Sequence, residues 1–471
     1  MAGVWLSDCK PGQTGCEANE ADYHLDSLNW HRGSNFVSMR CHLQKIILSI
    51  LVICVTAKSL AQWTDHFEDI CSLQQWSDVQ VTEGWNIQAL ELHDISLTNP
   101  GYFTLMPYTV TWYADWRGPL FYKPANGDFV LTGNLTVTNR AGTDIPGSSY
   151  SLGGFMVRNP KALTNGPIGW VPGQEDYVFL SIGRGATNHP SCPGCPAPHF
   201  EVKTTDNSNS VLNLSPISST TADIRMVRLD PFILVLYRFP GQSWVVHRRY
   251  YRPDLQDTVQ VGMVTYTDWD KASTYVNTFH NSHVLNEDLN PDPSNNPGQP
   301  FAPDIISRYD FLQLQATMMP VEWAGLDLTN AGQVSDAQIL SHYGISLATP
   351  SSSTSHVWLG RVNNNWNTAS NWLSGTAPLT ADSVRINSCA CPSASCAQLG
   401  PGVTSISGLE LAEGAVLTIP VGATLEVNGP FSNEGLVIVY GQLTITSGVS
   451  DQAINRGMLD CRTGGNIIIL D

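Results

Sequence analysis

Phe232-Ile-Leu-Val-Leu-Tyr-Arg-Phe-Pro-Gly-Gln-Ser-Trp-Val-Val-His-Arg-Arg-Tyr250 is the stretch on which the fold turns. Two runs rich in β-branched and aromatic residues flank a Pro-Gly turn, as a β-hairpin requires. Similar runs stand on either side of it. They are Asp128–Thr138, Tyr177–Ile182, Phe200–Thr204 and Val259–Tyr266, separated by Asn-Gly, Pro-Gly and Gly-Gly punctuation. No amphipathic helix interrupts them, so the pattern predicts a β-sandwich or barrel and not a βαβ fold. Ile305–Gln315 reads as a further strand, returning to the first sheet to close the sandwich against the segment near Asp65-His-Phe-Glu. Ser335 is placed to cap a short helix that ends at Gly344.

The texture changes after residue 347. Residues 348–356, Ala-Thr-Pro-Ser-Ser-Ser-Thr-Ser-His, have the composition of a flexible linker. Residues 357–471 then carry four-residue strands between Gly-rich turns: Val416–Ile419, Thr424–Val427, Leu436–Val439 and Leu443–Thr446. That short, regular spacing predicts coils of a β-solenoid, which bury a core only by stacking and therefore need caps. Ile467-Ile-Ile-Leu-Asp471 reads as an uncapped apolar strand. It implies either a truncated product or packing on another module.

Near the start, Met39–Lys45 is basic and Ile46–Thr56 is apolar. Ala57–Gln62 offers small residues at Ser59 and Ala61. This is the pattern of a secretory signal peptide over residues 39–61, cleaved after Ala61. Its apolar run is too short for the roughly 20 residues a membrane span needs. Residues 1–38 read as an upstream extension of the frame, and the mature chain would begin at Gln62. The expected location is extracellular or at the cell surface, with no transmembrane segment in the mature chain. The 41 acidic and 24 basic residues give a net charge of −17, which argues against a nucleic-acid partner.

The order Trp85, Gly118-Pro-Leu-Phe-Tyr-Lys123, Gly127-Asp-Phe-Val130, Gly154-Phe-Met-Val-Arg158, Phe200-Glu-Val-Lys203, Trp244 and Val261-Gly-Met263 resembles the concanavalin A-like lectin/glucanase superfamily. It is most similar to the uncharacterised secreted bacterial domains of that fold. The resemblance spans residues 63–320 and implies a jelly-roll sandwich. It leaves open whether the protein is a lectin, a glycanase, a lyase or an adhesion module. A second resemblance is local. Trp358-Leu-Gly360, Trp366 and Asn371-Trp372, with Pro378 and Asp382–Ile386, look like the Trp-Gly and Asn-Trp repeats that introduce β-solenoid stalks in bacterial surface proteins.

Glycanases of this fold carry Glu-x-Asp-x-x-Glu on one strand, and this chain has no such run. Its acidic clusters Asp65–Asp69, Glu91–Asp94 and Glu175-Asp176 lack the spacing. Nucleophile-elbow, zinc-protease and phosphate-loop motifs are absent too. Sugar recognition asks for flat aromatic faces beside planar polar groups. Three stretches supply both: Trp112–Arg117, Trp244–Arg252 and Tyr266–Asp270. Alternation along Phe200–Thr205 puts Glu201, Lys203 and Thr205 on one face, opposite Phe200 and Val202, as a polar stripe on a solvated concave sheet. Trp116, Arg117, Lys203, Arg249 and Trp269 are thus the candidate ligand contacts. The plainer reading makes the tryptophans core and the charges ion pairs.

The mature chain has seven cysteines. Cys192-Pro-Gly-Cys195, flanked by His189 and His199, fits a loop-pinning disulfide or a zinc or redox pair. Cys389, Cys391, Cys396 and Cys461 fit two bridges or a four-sulfur metal site. No cofactor is expected. A structural calcium at Asn286–Asn296 is weaker than a solvated linker there. The expected function is non-catalytic recognition of a poly- or oligosaccharide. The alternatives are a polysaccharide hydrolase or lyase with a cross-strand acid pair, and a purely structural adhesion module.

Overall fold

A computed structural model describes residues 62–162, 165–288, 299–345, 356–446 and 453–470. The signal-peptide segment 39–61, residues 1–38, most of the linker and most of the Asn286–Asn296 stretch lie outside the described residues. Trp63 to Tyr343 and His356 to Leu470 build the two mainly β parts, an antiparallel sandwich and a β-solenoid.

The first sheet has eight strands. In spatial order they are Val245–Tyr251, Phe232–Arg238, Thr221–Leu229, Phe129–Thr138, Ile306–Ala316, Phe103–Pro107 and Leu90–Ile95, with Trp63–Asp65 joining Ile306–Ala316. The second has seven: Asn209–Pro216, His199–Asp206, Tyr177–Arg184, Ser151–Arg158, Thr258–Tyr266, Leu120–Asn126 and Ser77–Asp78. All their pairings are antiparallel, and the quoted hairpin forms with Phe232 opposite Tyr251. The closing strand does pair with Trp63–Asp65, Trp63 facing Leu314.

Period-two alternation divides each strand of the seven-stranded sheet between two environments. Val178, Leu180 and Ile182, Phe200 and Val202, and Val259, Val261 and Met263 enter the core between the sheets. Each such side chain contributes about 1.5–3 kcal/mol by leaving water. Gly133 belongs to this design, because a Cβ there would lie 2.3 Å from the Phe155 ring. The intervening residues Tyr177, Phe179, Leu152, Met156, Val264 and Tyr266 form a second apolar cluster on the outer face, with Trp112 and Leu120.

The outer face of the eight-stranded sheet is covered by residues 317–345. Trp323, Leu328, Val334, Ile339 and Tyr343 pack there on Val227, Leu234 and Trp244. The helix within this cover is Asp336–Tyr343. Ser335 and Gln338 form a reciprocal capping box at its start, and Gly344 is its C-cap.

The solenoid has three parallel stacks of strands. Leu417, Val437 and Leu459 lie in register in one, and Leu425, Leu443 and Ile467 in another. Its first coil is closed by three tryptophans, with Trp366 and Trp358 each edge-on to Trp372 at 4.8 and 5.0 Å. Asn371 ties this cap together. Its Oδ1 accepts from the Val362 backbone N–H at 3.0 Å and its Nδ2 donates to the Asn365 carbonyl at 3.0 Å. The Trp-Gly and Asn-Trp residues therefore serve as the cap that a short array requires.

The two parts are joined. Cys71 is bonded to Cys391, Ile70 and Leu359 pack beside them, and Asn387 Nδ2 donates to the Glu68 carbonyl at 3.0 Å. His356, assigned to the linker by composition, begins the first solenoid strand, His356–Trp358. The cysteines correct the expected grouping. Cys389 pairs with Cys396, Cys391 pairs with Cys71, and Cys461 is exposed and unbridged. A four-sulfur site is thereby ruled out.

Candidate functional site

The site lies on the outer face of the seven-stranded sheet, where the segment Thr109–Arg117 crosses it. Trp112 is fully buried, and its indole N–H donates to the Pro119 carbonyl at 3.1 Å. The segment is held down by the short helix Asn277–Ser282. His280 Nε2 accepts from the Thr111 N–H at 3.1 Å, and Asn281 Oδ1 accepts from the Arg117 N–H at 2.9 Å. Burial lowers the His280 pKa to about 4, so the ring is neutral and able to accept. The expected solvated stripe is thus corrected. Glu201 and Lys203 do share the outer face, but they are 0% and 2% exposed beneath this segment.

Two buried charge clusters occupy the face. In the first, Arg158 bridges two carboxylates: its Nη1 lies 2.6 Å from Glu83 Oε1 and its Nε 2.8 Å from Glu175 Oε2. Arg117 pairs with the same Glu83 and Glu175. Burial pushes the Glu175 carboxyl up, but Arg158 and Arg117 outweigh it and hold the pKa at about 2. Arg117 was a candidate ligand contact. At 1% exposure and committed to two carboxylates, it belongs to this structural cluster instead.

In the second cluster, Lys203 Nζ lies 2.8 Å from Glu201 Oε1 and donates to the Trp112 carbonyl at 2.5 Å. The ammonium also stands 4.9 Å from the Phe179 ring centroid and 5.3 Å from that of Tyr266. Burial draws the Lys203 pKa down, and the Glu201 charge opposes this. The Tyr266 hydroxyl donates to Glu201 Oε1 at 3.2 Å. Burial and that carboxylate raise its pKa well above the usual range. Glu201 Oε2 has no hydrogen-bond partner among the described residues. An ammonium has three donors, and two of those on Lys203 are in use.

Over this second cluster opens a cavity of about 180 Å³ lined by Lys203, Tyr113, Tyr150, Tyr266, Trp269 and His189. Trp269 is the hub of its wall, edge-on to Tyr113 at 5.4 Å and to Tyr150 at 6.0 Å. Burial and then the Glu201 charge push the Tyr150 pKa up to about 12, keeping its hydroxyl protonated. His189 arrives on the hairpin Asn188–His189 with Cys192–Pro193, which the Cys192–Cys195 disulfide closes. The bridge is the first of the two cysteine readings, and it takes both sulfurs out of a metal site. Ser191 Oγ tethers the hairpin by accepting from the Leu214 N–H at 2.8 Å. A groove of about 710 Å³ adjoins the cavity and shares Tyr150 and His189 with it. Arg184, Asp268 and Asp270 stand along that groove. Asp268 Oδ2 accepts from Thr109 Oγ1 at 2.5 Å and from the Ala302 N–H at 2.8 Å.

Of the five candidate contacts, Lys203 and Trp269 line the cavity. Trp116 stands behind Trp269 at 6.3 Å and donates its indole N–H to the Tyr275 carbonyl at 3.2 Å. Arg249 lies on the other sheet. There it donates to the Leu328 carbonyl at 3.0 Å and pairs with Asp336, anchoring the cover over that sheet. Trp244 is buried on that same sheet with Arg225 4.2 Å over its ring, so it is no platform. Tyr113 and Tyr266 sit within the aromatic stretches read from sequence but were not singled out. Tyr150 comes from a loop without any pattern.

A cluster of carboxylates on the described surface joins Asp176, Asp206 and Asp254. Lys161 lies 3.2 Å from Asp176, and Arg252 pairs with Asp254 at 2.5 Å, so protein cations already meet its charge.

No family model matches the sequence, and no curated protein matches it. Solved structures do. A functionally unknown protein from Saccharomyces cerevisiae matches at 10% identity over 52% of this chain and 99% of its own, with a TM-score of 0.33. The basic winged bean lectin with Tn-antigen matches at 13% identity over 54% of this chain and 99% of its own, with a TM-score of 0.30. A xylan β-1,4-xylosidase from Bacillus halodurans matches at 10% identity over 54% of this chain, with a TM-score of 0.33. The chain spans 38% of that xylosidase's length. Likenesses at this level say nothing about chemistry, and the fold stands on the sheet topology alone.

Proposed function

We propose that this is an exported protein whose sandwich binds a carbohydrate without cleaving it. The observation that carries this reading is the cavity over Lys203. Aromatic faces of Trp269, Tyr113 and Tyr150 wall a space with a polar floor, the combination that apolar C–H faces and ring hydroxyls require. The adjoining groove gives room for further residues of an oligosaccharide. The three disulfides fit export. Among the described residues, no helix is long and apolar enough to cross a membrane.

Hydrolysis asks for a carboxyl acid and a second carboxylate at working separation. Glu83 and Glu175 are both locked by arginines, and a Glu175 pKa of about 2 is the opposite of what a proton donor needs. The carboxylates left to a hydrolase are Asp268 and Asp270 in the groove, where Asp268 Oδ2 is already held by Thr109 and the Ala302 N–H. The test is incubation of the protein with a panel of plant and algal polysaccharides, assaying retention and new sugar ends in the same tubes. Retention without new ends is the expected result. New ends would overturn the non-catalytic reading, and no retention would overturn binding itself.

A further inference from the structure

Resting on the binding reading above, we infer that the cavity is built for an uncharged sugar residue and discriminates against uronate and sulfated ones. The charge at the floor is already balanced. Lys203 is the cation that an acidic sugar would seek, but it is already neutralised by Glu201 at 2.8 Å, with both groups buried. A second anion brought to this ammonium would face the Glu201 carboxylate in a dry site, where an unpaired charge is costly. Arg184 shares the groove lining with Asp268 and Asp270, and its guanidinium already donates to the Pro146 carbonyl. Neither compartment offers an uncommitted excess of positive charge, and the chain as a whole carries −17.

What the floor does offer is a hydroxyl-sized contact at Lys203. Lys203 lines the cavity and has one N–H donor beyond the two in use, while its counter-charge Glu201 lies behind it, fully buried and outside the lining. One hydroxyl accepting from the ammonium would satisfy that donor. The Glu201–Lys203 pair thus acts as a specificity element. It supplies the polarity for hydroxyl recognition while withholding the net charge that a carboxylate or sulfate needs.

Calorimetric titration of the full chain decides this, with neutral xylo-, cello-, manno- and galacto-pentasaccharides set against pentagalacturonate and the mannuronate pentamer. One neutral series is expected to bind at least about ten-fold tighter than either anionic one. Its affinity should change less than about two-fold between roughly 20 and 300 mM salt. Equal or tighter binding of an anionic series, or steep weakening by salt, overturns the inference and leaves the binding reading in place. Binding of no series overturns both. Glu201→Gln sharpens the result by leaving Lys203 uncompensated, and is expected to raise the affinity for pentagalacturonate about ten-fold. Should that variant fail to fold, the comparison on the unaltered chain decides alone.

Discussion

Two buried charge clusters share one face of one sheet, and the second of them opens onto a cavity. Glu83, Arg117, Arg158 and Glu175 form a closed set, with Arg158 making bonds to both carboxylates and to Gln260. Glu201, Lys203 and Tyr266 form an open one, with Lys203 and Tyr266 lining a cavity and Glu201 Oε2 without a hydrogen-bond partner among the described residues. Both arise from the same alternation, which turns every second residue outward. Burial is alike in the two, so burial alone does not mark a site. Arg117 Nη1 in the first cluster and Glu201 Oε2 in the second both lack a hydrogen-bond partner among the described residues, so what separates the clusters is the cavity that Lys203 and Tyr266 line.

The largest expected effect comes from breaking the closed cluster. Arg158→Met strands two carboxylates with only Arg117 between them. It should cost about 3–5 kcal/mol in urea unfolding. Lys203→Met should cost less, because it strands one carboxylate and not two. Equal losses would erase the distinction between the clusters.

Next comes the cavity wall. Trp269→Ala should weaken sugar binding about ten- to hundred-fold in calorimetric titration, as loss of a central aromatic anchor does. Stability should change far less than in Arg158→Met, since Trp269 is only half-buried. Trp116, one layer behind, should matter less, with Trp116→Ala weakening binding no more than about three-fold.

Acid separates the clusters by window. As pH falls from 6.5 toward about 4, the unfolded chain protonates histidines that the fold keeps neutral, namely His280 and His247. Their depressed folded pKa values mean that stability falls across that window. Glu175, held at about 2 against its usual 4.5, contributes stability that is present above 4.5 and lost as pH falls from there toward 2. Because His280 secures the strap over the cavity, His280→Gln should flatten the upper slope of melting temperature against pH. It should leave the lower slope unchanged.

The fold was largely legible because it rests on local pattern. The strands, the closing return to Trp63–Asp65, the Ser335 cap and the solenoid stacks all follow from alternation, turn residues and spacing. Lys203 and Trp269 reach the cavity lining through local pattern too, one by alternation and the other from an aromatic stretch. Arg117 and Arg249 were misplaced because their fates depend on distant partners. Arg117 meets Glu83 and Glu175, and Arg249 meets Asp336, across spans that no local pattern encodes. Tyr150 and His189 reach the cavity on loops, and the Cys71–Cys391 bridge spans 320 residues, beyond any spacing rule.

Whether the open cluster binds the glycan is decided by titrating three proteins with the same retained glycan. These are the unaltered chain, Trp269→Ala in the cavity wall and Arg249→Ala on the opposite sheet. Arg249→Ala should bind as the unaltered chain does, while Trp269→Ala should lose at least about ten-fold. Binding that survives Trp269→Ala intact, or that is lost with Arg249→Ala while the protein remains folded, would contradict binding at the open cluster.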